Sequence, residues 1–450
     1  VNDNTPGSTT PDAGGEQLPA ASGPLTGHAV TADGPAGPVA GAAVPPPPRS
    51  NQLIREILRG SVVTTILAVV LAMLIGGILI AVTDPKVQAA AGYFFARPGD
   101  TFVALWTSIY GAYDAMFRGS IFNATAPTFE AAIRPLTNTL GFATPLIAAA
   151  LGVALAFRVG LFNIGARGQM LIAAATAALV AFNLNLPMWI HIPVTLLAGI
   201  AGGAIWGGIV GLLKARTGAH EVILTIMLNY VAYYLVSWLV RTPGLLQKPG
   251  TNQPISAPTP ETAQFPALFG EQFPRLDWGF VVVIIATIFV WWLIERSSLG
   301  FRMRAVGENP HAARAAGINV KRVYVYAMLF AGALAGLAGM NQIMGTVTSG
   351  FDGGIDAGIG FDAITVALLG RSSAWGTFAA GILFGALKSG SFTMQASEGI
   401  PVDIVLVVQS LIVLFIAAPP LVRTIFFLPK DEAERSARAK ARLAKKAVAR

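Results

Sequence analysis

The sequence predicts an all-α polytopic membrane protein with about eight to ten transmembrane helices, a broken or re-entrant segment, and a disordered N-terminal tail. Three observations carry that prediction. Hydrophobic residues make up 54% of the 450-residue chain and charged residues 12%, with a mean hydropathy of +0.62, which is too apolar for a soluble globular protein. Apolar runs recur at close to the roughly 20 residues a helix needs to cross a bilayer. Between them lie short loops that carry most of the basic residues.

Residues 1–48 are rich in Gly, Pro, Ala, Ser and Thr and contain no Lys or Arg, so they cannot bury enough apolar surface to fold. They are expected to form a cytoplasmic tail over residues 1–50. A secretory signal would need a basic start followed directly by an apolar core, and this stretch has neither. The membrane domain is expected over residues 51–425. Its first span, residues 62–82, follows Arg49, Arg55 and Arg59 and so enters from the cytosol. Residues 83–134 are less apolar, with Tyr93, Phe94, Phe95, Trp106, Tyr110 and Tyr113 suited to an interfacial helix outside the membrane.

Further spans are expected at residues 136–157, 164–184, 192–213, 222–240, 278–294 and 324–344, and the last two at 376–392 and 401–422. The span at 192–213 carries a stripe of six glycines, Gly199 to Gly211, that belongs in a tightly packed interior. Residues 241–278 hold seven prolines and no sustained periodicity, which predicts an external loop. The C-terminal tail, residues 426–450, places acids before bases and suits either an anionic inner leaflet or plain solvation. The segments assigned to the inside carry 23 of the 31 Lys and Arg residues, so both termini are expected in the cytoplasm.

Polar residues inside apolar spans are costly unless paired or facing water. Asn163, Gln169, Asn229, Asn341 and Gln342 are therefore candidates for a substrate pathway, with interhelical hydrogen bonding as the competing explanation. Residues 345–370 contain seven glycines and three aspartates before an apolar stretch too short to span. Irregular backbone at that depth is tolerated only where protein or a cavity surrounds it. That makes 345–362 a gate or substrate neighbourhood, or else an external loop, and adds Phe361 and Asp362 to the pathway candidates.

The loop at 295–322 concentrates six basic residues against two acids, which places it on the cytoplasmic side. Asn309 is a good N-cap, Pro310 suits the first helical position, HAARAA favours helix, and Gly317 offers a left-handed stop. One short exposed helix is expected. A helix of two turns is marginal in water, so a partner protein would hold it, unless the loop is simply a solvated basic one.

The block HAARAAG at 311–317 resembles the EAA-x-x-x-G coupling motif of ATP-binding-cassette importer permeases, with His311 where many members carry Glu. FNIGARGQM at 162–170 and HEVILTIMLNY at 220–230 narrow the resemblance to the branch importing ribose, branched-chain amino acids, simple sugars and nucleosides, and most to bacterial nucleoside and simple-sugar permeases. It implies that Asn309, Pro310, His311, Ala312, Ala313, Arg314 and Gly317 couple the chain to a cytosolic ATPase. It further implies a second permease subunit, an external substrate-binding lipoprotein, and transport of nucleosides or, alternatively, ribose-like sugars through the bacterial plasma membrane. ATP would be used by the partner subunits, with no cofactor bound by this chain.

The residues exclude several other classes. Cysteine is absent, so there is no disulfide framework, thiolate metal site or cysteine nucleophile. The nearest approach to a phosphate-binding loop, Gly385 to Ser389, has Leu387 where a glycine is needed before Lys388. No Ser-His-Asp set accompanies a soluble domain. The net charge of +8 resides in loops flanking apolar spans and not on a basic face, which excludes nucleic acid and points to lipid headgroups. An ion-coupled secondary transporter would place ionisable groups deep in its spans. Here only Asp362, Lys388 and Asp403 qualify, all expected near span ends.

Overall fold

Each expected apolar run carries helix in the computed structural model, which describes residues 61–426. The tail at 1–50, and the C-terminal tail beyond residue 426, lie outside the described residues. In chain order the helices are α1 (Ser61–Thr83), α2 (Pro85–Ala91), α3 (Pro98–Ser120), α4 (Phe129–Arg158), α5 (Ala166–Asn183), α6 (Met188–Thr217), α7 (Glu221–Leu239) and α8 (Trp278–Arg296). There follow α9 (Ser298–Glu308), α10 (Pro310–Ala315), α11 (Val320–Asn341), α12 (Ile359–Leu369), α13 (Ala374–Glu398), α14 (Asp403–Ala417) and α15 (Pro419–Ile425). The helix starts follow from local chemistry. Asp277, Ser297, Asn319 and Ser373 each accept a hydrogen bond from a backbone N–H of the first turn they precede.

Among the described residues, α1, α4, α6, α7, α8 and α11 are long and apolar enough to cross a membrane. Helices α5 and α13 have the length, at 18 and 25 residues, but carry polar groups such as Arg167, Gln169 and Lys388. The expected span at 401–422 is instead two helices, because Pro419 and Pro420 cannot continue α14 and leave Ala418 in a non-helical conformation.

Helix α4 is the centre. Every residue from Ala143 to Ala156 is buried, and α11, α12, α13 and α8 pack around it. A helix buried all round must be apolar all round, and this stretch is made of small and aliphatic residues apart from Thr144, whose hydroxyl bonds to the Leu140 carbonyl. The glycine stripe of α6 is fully buried and lies against α11. A methyl group on Gly332 would sit 2.2 Å from the Gly203 carbonyl oxygen, so the two backbones are in direct contact.

Helix α2 packs on α3, and α3 closes onto α13 and α4 and adds Ala112 and Ala115 to the core. Ser389 donates to the Gly119 carbonyl and Thr139 to that of Ser120. The proline-rich loop at 241–277 is ordered and docked: Thr259 donates to the Ile343 carbonyl, the Phe265 N–H to Met344, and the Ser256 N–H to Phe351. The loop at 295–322 holds two helices, α9 and α10, where one was expected. Sequence reasoning missed α9 because its start depends on Ser297, and on Gly300 and Gly307 lying against the carbonyls of Leu293 and Arg158.

Gly332→Ala is expected to lower the stability of the purified chain by about 1–3 kcal/mol, read as a drop in thermal unfolding midpoint in detergent. An unchanged midpoint would show that the α6–α11 contact yields without cost. Asp277, only 4% exposed, offers a second test. Burial raises its carboxyl from an ordinary 3.8 to about 7, against the opposing hydrogen bonds from the Gly279 N–H and the Asn341 amide. Its protonated form contributes stability fully below the unfolded value, and that contribution is lost as pH rises through about 7. Asp277→Asn keeps an acceptor for Gly279 and removes the titration. The variant should therefore gain in melting temperature over the parent at pH 8 and gain less at pH 5, whereas an equal difference at both would refute the assignment.

Candidate functional site

The described chain offers two candidate regions, a cavity beside the broken segment and an exposed short helix in the loop at 295–322. The first begins where α11 ends. Gln342–Thr346 form a π-helical turn, residues 347–358 run irregularly, and α12 resumes for only 11 residues. Gly358 starts α12 from the left-handed region at φ 81°, and Ala357 shares that region at φ 45°. The expectation of a broken segment plus a half-helix matches this backbone.

A cavity of about 270 Å³ opens between this segment, α4 and α13, near the lower end of ordinary small-molecule pockets at roughly 300 Å³. Gln342 and Thr346 line it from the π turn, Asp362 from α12, Lys388 and Phe392 from α13, and Phe142 from α4. The Phe142 and Phe392 rings stack with centroids 5.7 Å apart, and the Arg275 guanidinium from the external loop lies 4.6 Å from the Phe142 ring centre. Pro145, also in the wall, removes the helical N–H that would bond to the Gly141 carbonyl at the same wall. The site thus combines aromatic faces, an amide, a hydroxyl, two cations and one carboxylate. That arrangement suits a planar or hydroxylated polar ligand.

Of the seven pathway candidates, the structure gathers Gln342 and Asp362 at this cavity. Asn163, Gln169 and Asn229 instead form a buried corner between α5, α7 and the turn before α5. The Asn163 and Gln169 side chains bond to each other at 3.3 Å, Asn229 accepts from the Gly168 N–H at 2.8 Å, and it donates to the Ile164 carbonyl at 2.9 Å. Asn341 is buried, with its amide nitrogen 3.4 Å from Asp277, and Phe361 is half exposed on α12 without lining the cavity.

Lys388, expected near a span end, sits in the interior of α13 because that helix runs on to Glu398. Sequence reasoning also missed a buried ion pair. Arg167, which charge counting assigned to an inner loop, lies in the first turn of α5 and bonds to Asp356 at 3.1 Å, with Tyr233 stacked at 5.5 Å. Asp356 is 3% exposed, and Gly360 lies against the Arg167 backbone, so the broken segment is clamped to α5. The available signal was one Arg and one Asp, each isolated in apolar surroundings.

The second region follows its sequence signals closely. The Asn309 carboxamide accepts from the N–H groups of His311 and Ala312 at 2.9 and 3.0 Å, Pro310 takes the first helical position, and Gly317 stops the turn at φ 81°. Ala313 alone of α10 is buried, at 4% exposure, while His311, Ala312 and Arg314 are exposed. The helix is therefore fixed from below by one methyl group and its caps, and presents the rest of its surface outward.

Comparison with known proteins identifies the family. Residues 136–417 match the family described as the permease component of branched-chain amino acid transport systems. The chain is 35% identical over 361 residues to the guanosine ABC transporter permease protein NupP of Bacillus subtilis, covering 80% of this chain and 93% of that protein. It is 35% identical over 320 residues to the nucleoside ABC transporter permease protein NupB of Lactococcus lactis, covering 70% and 87%. It is also 37% identical over 289 residues to the glucose ABC transporter permease protein TsgB13 of Haloferax volcanii, covering 62% and 75%. With more than half its length matched and six described helices long and apolar enough to cross a membrane, the chain is a multi-pass membrane protein that belongs to the ABC-importer permease family of branched-chain amino acid transport systems.

Proposed function

We propose that this chain is the membrane-spanning permease subunit of an ATP-binding-cassette importer that carries nucleosides into the cell. The observation that supports the substrate class is the Phe142–Phe392 stack beside Gln342, Thr346 and Asp362, which offers a face for a base and polar groups for a sugar. Two relatives covered over most of their own length bear nucleoside or guanosine permease names. A simple sugar is the second reading, favoured by the relative named for glucose. An ion-coupled transporter is disfavoured by the exposed, capped α10, for which a self-contained carrier has no use.

In this reading cytosolic ATPase subunits grip His311, Ala312 and Arg314 and supply the energy from ATP, which this chain does not bind. A second permease subunit completes the pore, an external lipoprotein delivers substrate to the loop at 241–277, and both termini lie in the cytoplasm. The translocation path runs past Gln342 and Asp362. Asn163, Gln169, Asn229, Asn341 and Phe361 join it only if the corner and the docked loop open during the cycle. His311 meets the ATPase as a neutral hydrogen-bonding or packing group, so His311→Gln keeps coupling.

The decisive experiment reconstitutes the chain with its ATPase, second permease and binding protein and measures ATP hydrolysis with nucleosides and with sugars. Nucleosides should stimulate it and ribose or glucose should not; the reverse would assign the sugar reading, and no response to either would refute the importer. In the same assay Gly317→Pro and Ala313→Asp should abolish stimulated hydrolysis at normal membrane insertion, because proline cannot adopt φ 81° and a carboxylate cannot replace a buried methyl. Normal stimulation in either would remove α10 from coupling. The natural absence of cysteine allows a direct test of the path: Gln342→Cys and Asp362→Cys should react with a small water-soluble thiol reagent, and nucleoside should slow the reaction.

A further inference from the structure

A second pair of clefts lies at the opposite end of α13, around the loop at 370–373. The first, of about 490 Å³, is bounded by the last turns of α4 and α8 and the first turn of α13. Its polar groups are chiefly cationic. Arg158 ends α4 and uses its Nε to bond to the Ser372 carbonyl at 2.9 Å. Arg296 ends α8 and is held 5.8 Å from the Trp291 ring centre. The one carboxylate present, Glu295, is already engaged by Arg304 at 3.6 Å. Trp291 and Trp375 face the cleft with 37% and 49% exposure, as indoles do at the boundary between lipid and water.

The second cleft, of about 640 Å³, lies on the other side of the same loop and shares Ser373 with the first. Its wall is mostly apolar, formed by Ile66, Val69 and Val70 of α1 with Ala379, Ala380 and Leu383 of α13, and Arg371 and Ser373 of the loop add polar groups on the side shared with the first cleft. A cationic, tryptophan-flanked cleft thus adjoins an apolar one at the inner ends of three spans. A soluble anion would use only the first, and a neutral lipid would leave two arginines without a counter-charge. We propose that the joined clefts bind an anionic phospholipid of the cytoplasmic leaflet, its phosphate between Arg158 and Arg296 and an acyl chain along α1 and α13.

The binding follows from charge and shape together. Arg158 is oriented by its bond to Ser372 and Arg296 by its indole, so both guanidinium groups are placed before the lipid arrives, and planar N–H forks match phosphate oxygens. The site is separate from the cavity at Gln342 and Asp362, and it rests on the membrane topology and not on the identity of the transported substrate.

The test is thermal unfolding of the full chain in neutral detergent, titrated with phosphatidylglycerol, with phosphatidylcholine of the same acyl chains, and with inorganic phosphate. Phosphatidylglycerol alone should raise the unfolding midpoint. Arg296→Gln, which removes no hydrogen bond seen within the protein, should raise the half-saturating phosphatidylglycerol concentration about fivefold, as expected for one basic residue near an anionic surface. Arg296→Lys should restore most of it. Adding Arg158→Gln to Arg296→Gln should weaken binding further. Equal protection by phosphatidylcholine, protection by inorganic phosphate, an unchanged titration in Arg296→Gln, or lipid-independent self-association through this groove would each overturn the proposal.

Discussion

The backbone between Gln342 and Gly358 is the constraint on which the rest depends. A chain that leaves regular helix among apolar spans must find partners for every N–H and C=O it frees. Here some of the partners come from within the segment and several from outside it. Thr259 and Phe265 serve the carbonyls of Ile343 and Met344, Ser256 exchanges bonds with Phe351, and Gln342 reaches forward to the Ile355 carbonyl. The proline-rich loop is ordered because the broken segment needs it. The cavity is walled by α4, α12 and α13 together with the π turn and Val347 and Ala357 of the irregular segment.

Features set by neighbours in sequence were legible before the structure. The caps of α10, the shortness of α12, the glycine stripe of α6 and the order of the apolar runs all follow from residues within a few positions of one another. Features set by partners far along the chain were not. Arg167 and Asp356 meet across 189 positions, so nothing local shows that the arginine is paired instead of marking an inner loop. Lys388 looked peripheral because apolar counting ended its span at 392, whereas the helix extends to Glu398 over α3, whose carbonyls at Gly119 and Ser120 occupy the hydroxyls of Ser389 and Thr139. The amide cluster of Asn163, Gln169 and Asn229 could be identified as important without its purpose being readable, since a pathway lining and a packed corner ask for the same residue types.

Charge is distributed by depth in a way that composition alone conceals. Two of the acids in the packed region have a base beside them, Asp356 with Arg167 and Glu221 with Lys214, the latter at 2.6 Å where α6 meets α7. Such pairs cost desolvation and are weak stabilisers, but losing either partner is expensive, so they fix which segments lie side by side. Asp277 is instead buried against an N–H and an amide, and Lys388 and Asp362 face the cavity, where a ligand or water can complete their coordination.

Pro145 gives the central helix an articulation. The 30-residue α4 reaches from the cavity wall at Gly141 and Phe142 to Arg158, whose carbonyl abuts Gly307 of α9, one residue before the loop enters α10's cap. A proline halfway along such a rod removes one rung of its ladder and leaves a pivot there. The most thoroughly buried of the six membrane-length helices thus links the loop ahead of α10 to the Phe142–Phe392 stack near its own midpoint, with the missing rung between the two.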